Sequence, residues 1–337
     1  MATIIMIKLF FAICISLLIT LYIVPIVSSL AKRLGVLDIP DGKIKKHEKP
    51  TPYLGGIAVY LGFLSSLALV FPFENQILLF VVGSTLLLFV GLIDDLLVAK
   101  PYQKFFGQCL AVLCFLKAGF FLKETFFLKS YWNIPISLLW MLSVINAFNL
   151  VDVMDGLATS LAIYATCSFM IIAIALNQGN IALLLGALLG ALLGFFWYNK
   201  PHAQIYLGDA GSLFIGGFLA TIPFLFNWGL YNWHGFLTPV IILAIPLLEV
   251  CTLIVVRSRK GIPFYKGSPD HFSLYLKYNG WNIYEILLYV FSLSIVLFLA
   301  AFAFVFNKVT LLELIGLGLF FLIIWYSSLV YKRKKAF

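Results

Sequence analysis

The sequence predicts an all-α, polytopic membrane helix bundle of about 11 transmembrane helices, with its active site at the cytoplasmic face. Three observations predict it. Of the 337 residues, 63% are apolar and 11% charged, with a mean hydropathy of +1.05, against about 45–50% apolar and about 25% charged in a soluble domain. The apolar residues gather into runs near the ~20 that a helix needs to cross the hydrocarbon core. Most of the charge lies in the connections on one side of those runs. Lipid demands that backbone groups be satisfied within the segment, and runs of this length do so as helices.

The first run, 4–28, is too long for a signal-peptide core and lacks a clear small-residue cleavage site, so it reads as a retained span. There follow 54–71, 77–93, 105–122, 134–151, 157–176, 181–198, 212–228, 236–256, 283–306 and 310–330, separated by Pro, Gly, Asn or charge. The ninth run carries Pro239 and Pro246, each of which removes a helical hydrogen bond, so a bend is expected there. Glu249, in the same run, is expected to face protein, because an acid facing hydrocarbon costs ~2.5–3.5 kcal/mol. No long soluble segment intervenes, and residues 1–337 read as a single integral membrane domain. The cysteines Cys14, Cys109, Cys114, Cys167 and Cys251 lie in apolar runs without a CxxC pair and read as small apolar fillers.

Alternating the spans places 18 of the 23 Lys and Arg on one side, which the positive-inside rule makes cytoplasmic, with the N-terminus outside and the C-terminus in the cytoplasm. The net charge of +9 is thereby an orientation signal first, with anionic lipid or nucleotide binding as a second use and no nucleic acid as partner. All eight Asp fall on this same cytoplasmic side.

Four constellations there can carry chemistry. Asp94 and Asp95 are adjacent acids at a membrane border, which need metal, cations or water to neutralise them, and Lys100 and Lys104 follow. Asn146, Asn149, Asp152 and Asp155 recur every third position. The first three can share one helical stripe, while Asp155-Gly156 belongs to the turn beyond. Their carbonyl and carboxylate oxygens suit Mg²⁺, and interhelical hydrogen bonding by the Asn pair is the bland alternative. Asp209 stands between Gly208 and Gly211 at a helix start, where it either serves an anion and metal site or simply caps the helix. Two basic loops complete the set: Arg257, Arg259, Lys260, Lys266 and His271 in one, and His47 with Lys43–Lys49 in the other. Arginine forks and lysine point charges match phosphate oxygens, although such loops also serve as topology anchors.

Oxygen ligands ringed by basic loops at a lipid boundary suit a pyrophosphate-bearing soluble substrate meeting an anionic lipid headgroup. A transporter relay is the rival reading. It should continue to the outer half of the bundle, where Glu249 is the only deep acid, and no inverted repeat is visible.

The motifs GLIDDLL, NAFNLVDVMDGLA, GDAGSLFIGG and SPDHFSL, in that order, together with His47-Glu-Lys-Pro-Thr-Pro and Gly55-Gly56, resemble the polyprenyl-phosphate N-acetylhexosamine-1-phosphate transferase family. The family includes the enzyme that makes lipid I and the enzymes initiating O-antigen and teichoic-acid linkage units. The resemblance implies transfer of a sugar 1-phosphate from a UDP-N-acetylhexosamine to undecaprenyl phosphate in the bacterial cytoplasmic membrane, releasing UMP. It implies catalytic roles for Asp94, Asp95, Asp152 and Asp155. It further implies Mg²⁺, with Mn²⁺ as a substitute, at Asn149 and Asp209. Substrate contacts would come from Lys104, Asn146, His47, Arg257, Arg259 and His271. The lipid bilayer is a further partner and a homodimer a candidate one. Val98 stands where many members carry an acid or a lysine, and Val153 replaces the usual glycine between the two acids. A histidine cluster reduced to His271 argues against the muramyl-pentapeptide substrate and for a simple N-acetylhexosamine.

Overall fold

The computed structural model describes residues 2–38, 50–71, 75–97, 99–123, 130–263 and 268–330. Each of the eleven apolar runs contains helix, and the described residues are all-α apart from one two-stranded ribbon. Among the described residues, eight helices are long and apolar enough to cross a bilayer, or nine if one bent pair counts as a single span, which makes the chain a multi-pass membrane protein. Two of the expected spans are shorter than that. Helix α2 (Gly55–Val70) has 16 residues and α4 (Pro101–Lys117) has 17. The latter stops short of residue 122 because the chain turns at Ala118 and Gly119, the glycine at φ +90°.

Two compact groups of helices divide the chain, residues 1–226 and 227–337. In the first, α1 (Ala2–Leu34) packs on α2 and on α7 (Gly179–Asn199), while α3 (Asn75–Leu97) packs on α4 and α8 (Gly208–Thr221). Helix α5 (Asn133–Val151) lies on α8, and α6 (Leu157–Ala175) on α7. Helices α7 and α8 are apolar on nearly every face and are accordingly the buried centre. Pro25 leaves the Leu21 carbonyl without its helical donor, and the Tyr198 hydroxyl donates to that oxygen instead at 3.2 Å.

An aromatic ladder sets the position of α8. Phe214 and Phe218 meet Tyr60 and Phe63 of α2 at ring separations of 5.1–5.6 Å, and Phe218 meets Phe80 of α3 at 5.4 Å. These edge-on and tilted contacts are each worth about 0.5–1.5 kcal/mol beyond simple burial. At the start of α8, the ribbon of β1 (Leu37–Asp38) and β2 (Thr51–Pro52) supports the incoming chain. Tyr206 N donates to Pro52 O, while Gly55 N and Gly56 N donate to the Tyr206 and Leu207 carbonyls at 2.9–3.0 Å.

The second group holds α9 (Thr238–Ile242), α10 (Ala244–Arg259), α11 (Phe272–Tyr278), α12 (Ile283–Val305) and α13 (Leu311–Val330). The bend expected from Pro239 and Pro246 is present: the segments 235–242 and 244–259 meet at 67°. Pro246 sits in the first turn of α10, where its missing N–H costs nothing, and the break falls just before it at Leu243. Glu249 is fully buried, as an acid in an apolar helix requires. Helix α12 opens with a reciprocal capping box between Asn282 and Glu285.

Candidate active site

Neighbouring residues on a helix point about 100° apart, and Asp94 and Asp95 near the end of α3 use that divergence. Asp94 accepts the Ala99 N–H at 2.8 Å and pairs with the Lys104 ammonium at 2.9 Å. Asp95 turns to α8, where its two carboxylate oxygens accept the Asp209 and Ala210 N–H groups at 2.9 and 3.0 Å. These are orphan donors of the first helical turn, so Asp95 caps α8 from another helix. Asp209 therefore does not cap its own helix; it is the second residue of α8, which begins at Gly208 and not at 212. Two glycines make the approach feasible. A Cβ on Gly91 would collide with the Asp209 backbone, and Gly208 adopts φ +73° with its α-carbon against the Asp95 carboxylate.

Asp209 and Asn149 then meet. The Asn149 carboxamide donates to Asp209 Oδ1 at 2.7 Å and to Ser212 Oγ at 3.0 Å, while its own oxygen accepts from Lys104 Nζ at 3.0 Å. Lys104 also bonds Asp209 Oδ2. One ammonium is thus held by three oxygens, Asp94 Oδ2, Asn149 Oδ1 and Asp209 Oδ2, contributed by α3, α5 and α8. All three are hard donors, and two are anionic. No group of three His, Cys, Asp or Glu side chains stands ready for a metal among the described residues. The cage is instead two carboxylates and a carboxamide.

The proposed stripe along α5 separates. Asn146 turns to Gln108 of α4, exchanging bonds at 2.9 and 3.3 Å, and also donates to Leu142 O. Asp152 lies just past the helix end, with φ −81° and ψ 58°. It makes no side-chain hydrogen bond among the described residues. Burial pushes its carboxyl well above the usual range, reinforced by the negative charges of Asp209, Asp95 and Asp155. Asp155 accepts the Ala203 N–H at 3.0 Å and so ties the turn between α5 and α6 to the loop before Tyr206. Gly156, at φ +71°, starts α6 in that turn.

Arg257, Arg259 and His271 belong to the second group of helices. Arg257 is buried and donates from Nε to Ser268 Oγ at 2.9 Å, whereas Arg259 is exposed. His271 Nδ1 lies 2.9 Å from Glu249 Oε1, and the Phe272 N–H reaches both Glu249 oxygens. Lys260 holds the Asp270 carboxyl below its ordinary range, chiefly through a direct hydrogen bond. His47, Lys266 and Val98 lie outside the described residues.

Several residues were missed by motif reasoning. Gln108 is a buried carboxamide in the apolar part of α4, a signal in itself. Ser212 and the Glu249–His271 pair join positions distant in sequence. Tyr53 bonds the Asp38 carboxylate, and burial together with that bond raises its hydroxyl above the usual range.

The model of glycosyl transferase family 4 matches residues 77–227, the segment that carries Asp94 through Asp209. The chain is 29% identical to the probable undecaprenyl-phosphate N-acetylglucosaminyl 1-phosphate transferase of Bacillus subtilis, over 79% of this chain and 76% of that protein. It is 30% identical to the phospho-N-acetylmuramoyl-pentapeptide-transferase of Staphylococcus haemolyticus, over 82% and 93% respectively. With the decaprenyl-phosphate N-acetylglucosaminephosphotransferase of Mycobacterium tuberculosis it shares 28%, over 83% and 79%. An oxygen-lined cation cage, built where three helix ends meet, thus sits in a sequence whose matched segment spans it: the chain belongs to glycosyl transferase family 4, the polyprenyl-phosphate sugar-1-phosphate transferases.

Proposed function

We propose that this protein transfers N-acetylhexosamine 1-phosphate from a UDP-sugar to undecaprenyl phosphate, releasing UMP and starting a cell-envelope polysaccharide. The observation that carries the reading is the cage of Asp94, Asn149 and Asp209 around one cation. Its donor chemistry fits Mg²⁺ or Mn²⁺, which take one or two carboxylates and leave positions for water and substrate phosphate. Asn149 and Asp209 would hold the ion, which when bound neutralises charge on the diphosphate.

The chain's own residues supply positioning. An oxygen of the lipid phosphate attacks the β-phosphorus of the UDP-sugar. A new P–O bond forms there, the bond from that phosphorus to the bridging oxygen breaks, and UMP leaves with the bridging oxygen. The sugar stays on the β-phosphate, now part of a diphosphate. A phosphate monoester has a second pKa of ~6, so the nucleophile is largely ionised at neutral pH. Asp152, uncommitted among the described residues, accepts the residual proton, while Asp95 and Asp155 hold backbone in place. Lys104 serves the diphosphate oxygens as a point charge. The whole chain acts as one catalytic domain of eleven membrane segments, with the short α2 and α4 included, the N-terminus outside and the site facing the cytoplasm. His271 as the lone histidine of its loop favours a simple N-acetylhexosamine.

The test is UMP release by the purified protein in detergent, on adding undecaprenyl phosphate to a panel of UDP-GlcNAc, UDP-GalNAc and UDP-MurNAc-pentapeptide. Mass spectrometry of the lipid product identifies the sugar. Release from the pentapeptide substrate alone would move the protein to lipid I synthesis, and no lipid-dependent release from any of them would refute the proposal.

A further inference from the structure

Lys104 stands in the position that a divalent cation would take, with its ammonium on Asp94 Oδ2, Asn149 Oδ1 and Asp209 Oδ2. Three oxygens on one ammonium is the full hydrogen-bonding capacity of that group. Two of these oxygens belong to Asn149 and Asp209, the pair to which the preceding reading gives the metal, and the inference rests on that reading. An ammonium and a divalent cation cannot share the oxygens at contact distance, because both are positive and the cage supplies only two negative charges.

We infer that Lys104 and the divalent cation hold this cage by turns, so that metal binding expels the ammonium and frees it for the anionic substrate. Charge arithmetic gives the exchange a purpose. With Lys104 inside, Asp94, Asp209 and the lysine sum to −1, and the nearby Asp95 and Asp152 carboxyls add no positive charge. That surface repels a diphosphate. With a divalent cation on the same oxygens the cage is neutral, and the released ammonium adds +1 beside it. A side chain on four methylenes needs only rotamer changes to leave, and Lys104 sits in the first turn of α4, one turn from the helix end. Metal and UDP-sugar binding are thereby coupled: each favours the arrangement the other requires, and the coupling is reciprocal. Lys104 is a positioning residue in the first arrangement and a substrate ligand in the second.

The experiment uses the full chain in detergent and Mn²⁺ as the probe, with free ion measured by electron paramagnetic resonance. Lys104→Met should tighten Mn²⁺ binding about tenfold, within the usual range of coupling between sites. Lys100→Met removes the same charge from an exposed side chain four residues away, and should change affinity by less than about twofold because solvent screens it. In the unaltered protein, acylation of the Lys104 amine, followed by peptide mass spectrometry, should rise several-fold on adding Mn²⁺. This second measurement stands if Lys104→Met does not fold. Unchanged or weaker Mn²⁺ affinity in Lys104→Met, an equal gain in Lys100→Met, or labelling that Mn²⁺ leaves unchanged would each overturn the exchange. Asp209→Asn separates the layers. If it abolishes Mn²⁺ binding while the lysine experiments fail, only the exchange is wrong. If Mn²⁺ binding is absent from the unaltered protein, or survives Asp209→Asn, the metal assignment falls and the exchange with it.

Discussion

Replacing Asp95 by Asn separates a positioning acid from a catalytic one. In the structure both Asp95 oxygens accept N–H groups at the start of α8, at 2.9 and 3.0 Å. Asparagine keeps one oxygen but sets an NH₂ against the other N–H, so one bond is lost and the survivor is no longer charge-assisted. Hydrogen bonds to charged groups contribute about 1.5–3 kcal/mol and neutral ones about 0.5–1.5. The favourable interaction of a carboxylate with the helix N-terminus, about 0.3–1 kcal/mol, goes as well. Relief of repulsion from Asp209 offsets part of this, and a net loss of about 2 kcal/mol is expected. For a chain of 337 residues that corresponds to a fall in melting midpoint of roughly 3 °C. Asp95→Ala, which leaves both donors without the acid, should fall further. The assay is thermal unfolding in detergent followed by tryptophan fluorescence, alongside UMP release. Because Asp209 hangs from the capped turn, activity should fall together with stability, and Mn²⁺ affinity with both. An Asp95→Asn protein that melts at the unaltered temperature and is nonetheless inactive would refute the capping role and make Asp95 the reacting acid.

Other outcomes follow from the same geometry. Asp209→Ala should abolish turnover in a protein that still folds in detergent, and near-normal UMP release would remove Asp209 from the metal site. Asp152→Asn should lose activity yet melt higher at neutral pH. An ordinary Asp titrates near ~3.9 when unfolded, and burial raises the folded value, so stability falls as pH climbs from the first value to the second. The amide escapes that fall, and a melting point that tracks the unaltered protein across pH 4–8 would contradict it. Asn146→Ala should leave the buried Gln108 carboxamide unpaired, at about 1–3 kcal/mol, with little change in KM for the UDP-sugar. A large KM rise without destabilisation would restore the substrate contact. Cysteine at position 100 should react with an impermeant thiol reagent from the cytoplasmic side and cysteine at 180 from outside, and labelling of both from one side would break the eleven-span parity.

Local physics made the helices legible. Apolar runs, proline placement and the cost of an acid in hydrocarbon located the eleven membrane segments, the bend before Pro246 and the burial of Glu249, but not the short α11, which lies in a connection between runs. What it missed depends on pairs distant in the chain. Asn146 and Asn149 carry the same side chain one helical turn apart, yet one meets Gln108 and the other Asp209. Nothing in their spacing distinguishes them, because the choice depends on which helix lies opposite. Span lengths erred at α4 for a local reason: Gln103, Lys104 and Gln108 lower its apolar content, and Gly119 ends it early. The link between Glu249 and His271 joins residues 22 positions apart, and a composition argument can require a partner for a buried acid without naming it.

The acids of the site are alike in chemistry and unlike in work, and their backbone surroundings explain why. A carboxylate within reach of unpaired N–H groups is committed to them, since the alternative leaves buried donors unsatisfied. Asp95 meets two at the start of α8, Asp94 meets one at Ala99 before turning to Lys104, and Asp155 meets one at Ala203. Each of these acids fixes a segment: the α8 turn, the α3–α4 connection and the loop leading to Tyr206. Asp152 follows a helix C-terminus, where the nearby backbone groups are carbonyls that can offer a carboxylate no donor. Among the described residues it is therefore left uncommitted and is destabilised in its charged form, which is why the proposed function gives it the proton that arrives with a substrate.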